Sequence, residues 1–165
     1  MIKNLKKIER IIGIMLIVFG TYILFVKISE CYLYFNILKE QVQTINLVYY
    51  SLYESIFPIL VLIGGILLLR SNKIGWLLSL FSSVCVDYFL ISNSIRFIQE
   101  YNLVQDSNYK AVIIIGILLL AIIFLIISII LLNKAFREKY KPSIFNLIVL
   151  LILMCFVIFR NYISV

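Results

Sequence analysis

From Ala111 to Leu132 the chain runs for 22 residues without a charged side chain or an amide. A helix of about 20 such residues crosses the hydrocarbon layer of a bilayer, and only helices and closed barrels satisfy every backbone polar group there. The rest of the sequence is of the same kind, with 64% hydrophobic and 14% charged residues, against roughly 45–50% and about 25% in soluble domains. A water-soluble fold of 165 residues has no interior large enough to hide so much apolar side chain. The sequence predicts an all-α, polytopic integral membrane protein whose first partner is the lipid bilayer.

Five spans are expected, at about residues 8–27, 52–70, 74–94, 111–132 and 142–160, in one transmembrane domain covering 1–165. The basic leader Met1 to Arg10 followed by the apolar run Ile11 to Val26 has the outline of a signal peptide. It lacks a small-x-small cleavage site, and Ile28-Ser29-Glu30 before Cys31 is no lipoprotein box, so the run reads as an uncleaved first span. Arg70-Ser-Asn-Lys73 is so short a connection that the second and third spans must form an antiparallel hairpin. Trp76, just past that turn, reads as an anchor at the inner interface.

Orientation follows from Lys and Arg in the flanks. With the N-terminus inside, the inner segments hold Lys3, Lys6, Lys7, Arg10, Arg70, Lys73, Lys134, Arg137, Lys139 and Lys141, and the outer ones Lys27, Lys39, Arg96, Lys110 and Arg160. Ten against five favours a cytoplasmic N-terminus and an outside C-terminus in the cell membrane. Between Ile28 and Leu52 apolar residues recur at the helical period, without Gly or Pro. The first two spans are therefore expected either to continue outside as helices that reverse near Gln41 to Thr44, or to lie along the outer surface there.

Several chemistries fall away. There is no histidine, which removes an imidazole base, ligand or pH switch. Cys31, Cys85 and Cys155 are dispersed, with no Cys-x-x-Cys, so no metal centre and no cofactor is expected. The formal charge of +7 belongs to the membrane topology, and no nucleic-acid partner is expected. An intramembrane aspartyl protease needs two carboxylates, and only Asp87 lies away from the ends of a span; the expectation is that the chain is not an enzyme. The 33 Ile against 3 Ala fit the codon usage of an AT-rich bacterial source.

What remains is a pattern on the third span. Gly75, Ser79, Ser83 and Asp87 are spaced by four, and Ser94 falls close to the same face, so one side of an apolar helix is small and polar. Asp87 lies 14 residues past Lys73, about 21 Å along the axis, where a carboxylate facing lipid is costly. It is expected to face inward, bonded to Ser83 and to Thr21 or Tyr22 of the first span, as a register-fixing group. The competing role is an ion or proton site with Arg96 as counter-ion. All six glycines, Gly13, Gly20, Gly64, Gly65, Gly75 and Gly116, fall inside spans and are expected at close helix contacts; the fifth span, without glycine, is placed at the periphery. Ser83→Leu is accordingly expected to be worse tolerated than Ser128→Leu.

Tyr32, Tyr34, Tyr49, Tyr50 and Tyr53 crowd the first outer segment. They suit an interfacial aromatic belt or a partner surface, since tyrosine gives contact area at low entropic cost. The function expected is that of a non-enzymatic interaction or accessory protein, of immunity or defence type among others, acting through association with another membrane protein or with itself. The alternative is a small transporter or channel subunit using Asp87.

Overall fold

The computed structural model describes the backbone of residues 2–37, 44–100 and 107–163, and within these the side chains of 4–33, 56–92, 94–95, 111–153 and 155. Among the described residues there is no strand, and six helices follow one another: α1 (Ile2–Ile37), α2 (Thr44–Leu69), α3 (Lys73–Glu100), α4 (Ser107–Leu132), α5 (Lys134–Tyr140) and α6 (Ile144–Ile163). Three contain stretches long and apolar enough to cross a membrane, Asn4–Leu33, Lys73–Ser92 and Ala111–Leu132. Shorter apolar stretches lie in α2, at Ile56–Leu69, and in α6, at Ile144–Leu153.

The 36 residues of α1 measure about 54 Å, so this helix outruns a hydrocarbon layer of about 30 Å. Of the stretch 28–52, α1 continues unbroken to Ile37 and α2 starts at Thr44, so helix extends from both sides toward the expected reversal. The expected reversal near Gln41 falls outside the described residues, as does Asp106 of the turn expected at Asp106 to Asn108.

The chain forms two compact units, Met1–Ser82 and Ser83–Val165. In the first, glycine sets the packing. A Cβ on Gly65 would stand 2.8 Å from the Gly13 carbonyl oxygen, and one on Gly20 would stand 2.9 Å from Leu62 Cγ and 3.2 Å from the Pro58 oxygen. As α1 ascends from Gly13 to Gly20 its neighbours on α2 descend from Gly65 to Pro58, so the two helices are antiparallel. Gly64, one residue away and about 100° around α2, serves the other side: its Cβ would meet Ser79 N at 3.1 Å. Gly75 lies so close to the backbone of Leu67 and Leu68 that a Cβ there would overlap both.

The α2–α3 turn ends α2 in a Schellman arrangement, with Asn72 N–H donating to Leu67 O at 3.0 Å and Ser71 N–H to Leu68 O at 2.8 Å. Ser71 takes the left-handed conformation, φ 52°, where glycine is the usual residue. Asn72 then caps α3, its Oδ1 accepting from Ile74 N–H at 2.8 Å. Trp76 corrects the sequence reading: it is fully buried, because the close approach at Gly75 places the next turn of α3 inside the packed unit. It is a core residue, not an interface anchor.

In the second unit, Ala121, Phe124, Ile127, Ser128 and Leu131 of α4 are buried, a stripe at helical spacing. It covers only the C-terminal half; none of the described side chains from Ala111 to Leu120 is buried. Gly116 differs from the other glycines: among the described residues nothing lies within 4 Å of a Cβ built on it, and it falls in the half of α4 with no fully buried side chain. Asn133 caps α5, accepting from Ala135 N–H at 3.1 Å, and Phe136 and Tyr140 bury one side of that short helix in the segment that reads from sequence simply as a basic connection. In α6, Leu150 is buried while Ile144, Phe145, Ile148, Leu151, Ile152 and Leu153 are exposed.

Candidate functional site

Within the span Lys73–Ser92, 56% of its most apolar 18-residue stretch is buried, against 22% for each of the other two, and α3 carries most of the buried polar groups among the described residues. Ser79, Ser82 and Ser83 are fully buried, Asp87 is 8% exposed and Ser94 3%. These residues are buried, but they meet different neighbours. Gly75 and Ser79 lie against α2, at Leu67, Leu68 and Gly64. Ser83 and Asp87 turn to α4.

Ser128 is the residue that joins them. Its hydroxyl lies 2.9 Å from Ser83 Oγ and 3.0 Å from the Phe124 carbonyl oxygen, and it donates to the Asp87 carboxyl. A hydroxyl has one proton to give and two lone pairs to accept with, so Ser83 and Ser128 can each take the donor role in their mutual bond. Asp87 Oδ1 is buried without a hydrogen-bond partner, as are Ser79 Oγ and Ser82 Oγ. Ser94 closes its own hydrogen bond onto Leu90 O at 2.8 Å and takes no part.

Within its own unit Asp87 has Ser128 of α4 as hydrogen-bond partner; of the first-span residues expected beside it, Thr21 bonds to Ile17 O of its own helix at 2.8 Å and Tyr22 is 64% exposed. The side chain of Arg96, the counter-ion of the competing role, lies outside the described residues. Chemically, a carboxyl beside two hydroxyls, without an imidazole, can exchange hydrogen bonds and hold a positive charge.

Two contributions were missed in the sequence. Ser128 is a lone hydroxyl in a 22-residue apolar run, and that isolation was the available signal. Glu9, the one acidic residue of a basic leader, is 2% exposed and accepts from Ser71 Oγ at 2.9 Å, tying α1 to the α2–α3 turn. The hydroxyl of Ser71 gives a reason for serine rather than glycine at that positive-φ position.

Of the tyrosines expected at a partner surface, Tyr32 is 68% exposed; the side chains of Tyr34, Tyr49, Tyr50 and Tyr53 lie outside the described residues. Cys85 is buried, Cys31 half-buried and Cys155 exposed, each a free thiol. Set beside protein-family models, curated proteins and solved structures, the chain matches none of them, so its own geometry is the ground for a functional reading.

Proposed function

We propose that this chain is a non-enzymatic, five-span protein of the cell membrane that acts as an accessory or interaction component by docking a transmembrane helix of another membrane protein or of a second copy. The observation that carries the reading is Gly116. Where no side chain is needed, glycine in a membrane helix serves close approach of another helix. The other five glycines each have such a neighbour, and Gly116 has none. It sits among exposed Val112, Ile115 and Leu119, which make a shallow notch with apolar walls.

In the proposed topology α1, α2, α3, α4 and α6 cross the membrane, with the N-terminus cytoplasmic, the C-terminus outside and α5 at the inner surface. The ten-to-five distribution of Lys and Arg supports this. So do the lengths of α2 and α6, 26 and 20 residues. A reporter fused to the C-terminus should be active only when it reads an outside location. Activity confined to the cytoplasm would mean that α6 does not cross.

The association itself is tested with Gly116→Ile, purified from native membranes beside the wild type. The variant should lose the co-purifying protein or the self-association seen for wild type while melting at about the same temperature, since the position touches nothing among the described residues. Identical partners and assembly state in both would remove the docking proposal.

A further inference from the structure

We propose that the corner formed by the end of α4, α5 and the start of α6 binds an anionic phospholipid, with Arg137 and Lys141 at its phosphate and exposed apolar residues along its acyl chains. This rests on α4 crossing the membrane with α5 at the surface, and not on helix docking at Gly116. The first ground is that the corner is a built one. A helix of seven residues is too short to stand by itself in water. Burial of Phe136 and Tyr140 holds α5 in place, with the Asn133 cap at its start and Lys141 N–H donating to Arg137 O at 2.8 Å at its end. The cations of this segment are therefore carried on an ordered backbone, which lowers the cost of gathering them around an anion.

The second ground is charge. Between Lys134 and Lys141 stand four basic residues and one acidic one, Glu138. Lys134 lies 3.7 Å from the Glu138 carboxylate, and the Lys139 ammonium lies 5.0 Å from the centre of the Tyr140 ring. Arg137 and Lys141, both exposed, carry the positive excess. Arginine takes a phosphate on two nitrogens at once, and lysine adds a point charge beside it.

The third ground tells a lipid from a soluble anion. Exposed apolar side chains border the cations on both sides along the chain: Ile129 and Leu132 at the end of α4, and Ile144 and Phe145 at the start of α6, the last two 77% and 72% exposed. A soluble phosphate would meet the charges alone. A phospholipid sets an anion directly beside hydrocarbon, the same order in which Lys141 is followed by Ile144 and Phe145. Basic segments at the end of a membrane helix attract anionic lipids on these physical grounds.

The test uses the purified full chain in nanodiscs of phosphatidylcholine, beside nanodiscs in which phosphatidylglycerol replaces part of that lipid. For wild type the anionic lipid should raise the melting temperature by about 4 °C, and native mass spectrometry should find phosphatidylglycerol retained on the chain. Arg137→Gln combined with Lys141→Gln should lose most of the shift and hold phosphatidylglycerol about 10-fold more weakly. Lys6→Gln combined with Lys7→Gln removes the same charge from exposed positions of α1 and should keep both. Glycerol phosphate added to phosphatidylcholine nanodiscs should give no shift, which separates a lipid from a soluble anion. Should the α5 double variant not fold, Lys141→Gln carries the test, with binding about 5-fold weaker. Equal melting of wild type in the two lipids, an undiminished shift in the α5 variants, an equal loss in the α1 variant, or a full shift with glycerol phosphate would each overturn the site. Both faces of a nanodisc carry the same lipid, so orientation does not enter, and the C-terminal reporter and Gly116→Ile read topology and docking separately.

Discussion

Gly75→Ala is expected to disrupt the α2–α3 hairpin, at a cost of about 3 kcal/mol, and to lower the melting temperature of the solubilised protein accordingly. The added methyl would meet backbone atoms of Leu67 and Leu68, which belong to a helix and cannot rotate aside as a side chain tip can. One helix must move, and α2 is held on its other side by α1. Gly116→Ala is the control, with the opposite sign: nothing is near, and alanine is the better helix former by about 1 kcal/mol. Thermal melting of the two variants against wild type checks this. A Gly75→Ala protein as stable as Gly116→Ala would contradict the close approach.

The second large effect is at Ser128. Ser128→Leu should cost about 3 kcal/mol, since it forces extra volume into a buried position and removes the hydroxyl serving Ser83 and Asp87. The sequence alone ranks Ser83→Leu as the more harmful change; with the two hydroxyls bonded to each other and both buried, the two should be comparably damaging. A double-mutant cycle makes the coupling visible: Ser83→Ala and Ser128→Ala together should cost about 0.5–1 kcal/mol less than the sum of the singles. Strict additivity would mean that the hydroxyls do not act as a pair.

Apolar runs announce helices plainly, and the short turn at Arg70 to Lys73 could only be a hairpin; both were legible because a bilayer leaves the backbone few choices. The polar face of α3 was legible from its spacing. Its partners were not, since hydropathy says nothing about which neighbour a helix face meets, and a single serine among isoleucines and leucines carries no visible pattern. Trp76 was misread because an amphipathic side chain at a helix start has the same local sequence whether it ends in headgroups or in a core. Gly116 looks like the other five glycines until its surroundings are known. Glu9 was hidden by the basic residues around it, and α5 by being short and polar.

The adjacent glycines of α2 tie the fate of three helices together. Gly65 admits α1 and Gly64 admits α3, so a slip of α2 by one residue would turn it by about 100° and drive Ile63 or Ile66 into a neighbour. Neither contact can be adjusted while the other is kept. The register of this unit is therefore a single joint choice, and α1, α2 and the first turns of α3 are set to assemble and come apart as one cooperative body.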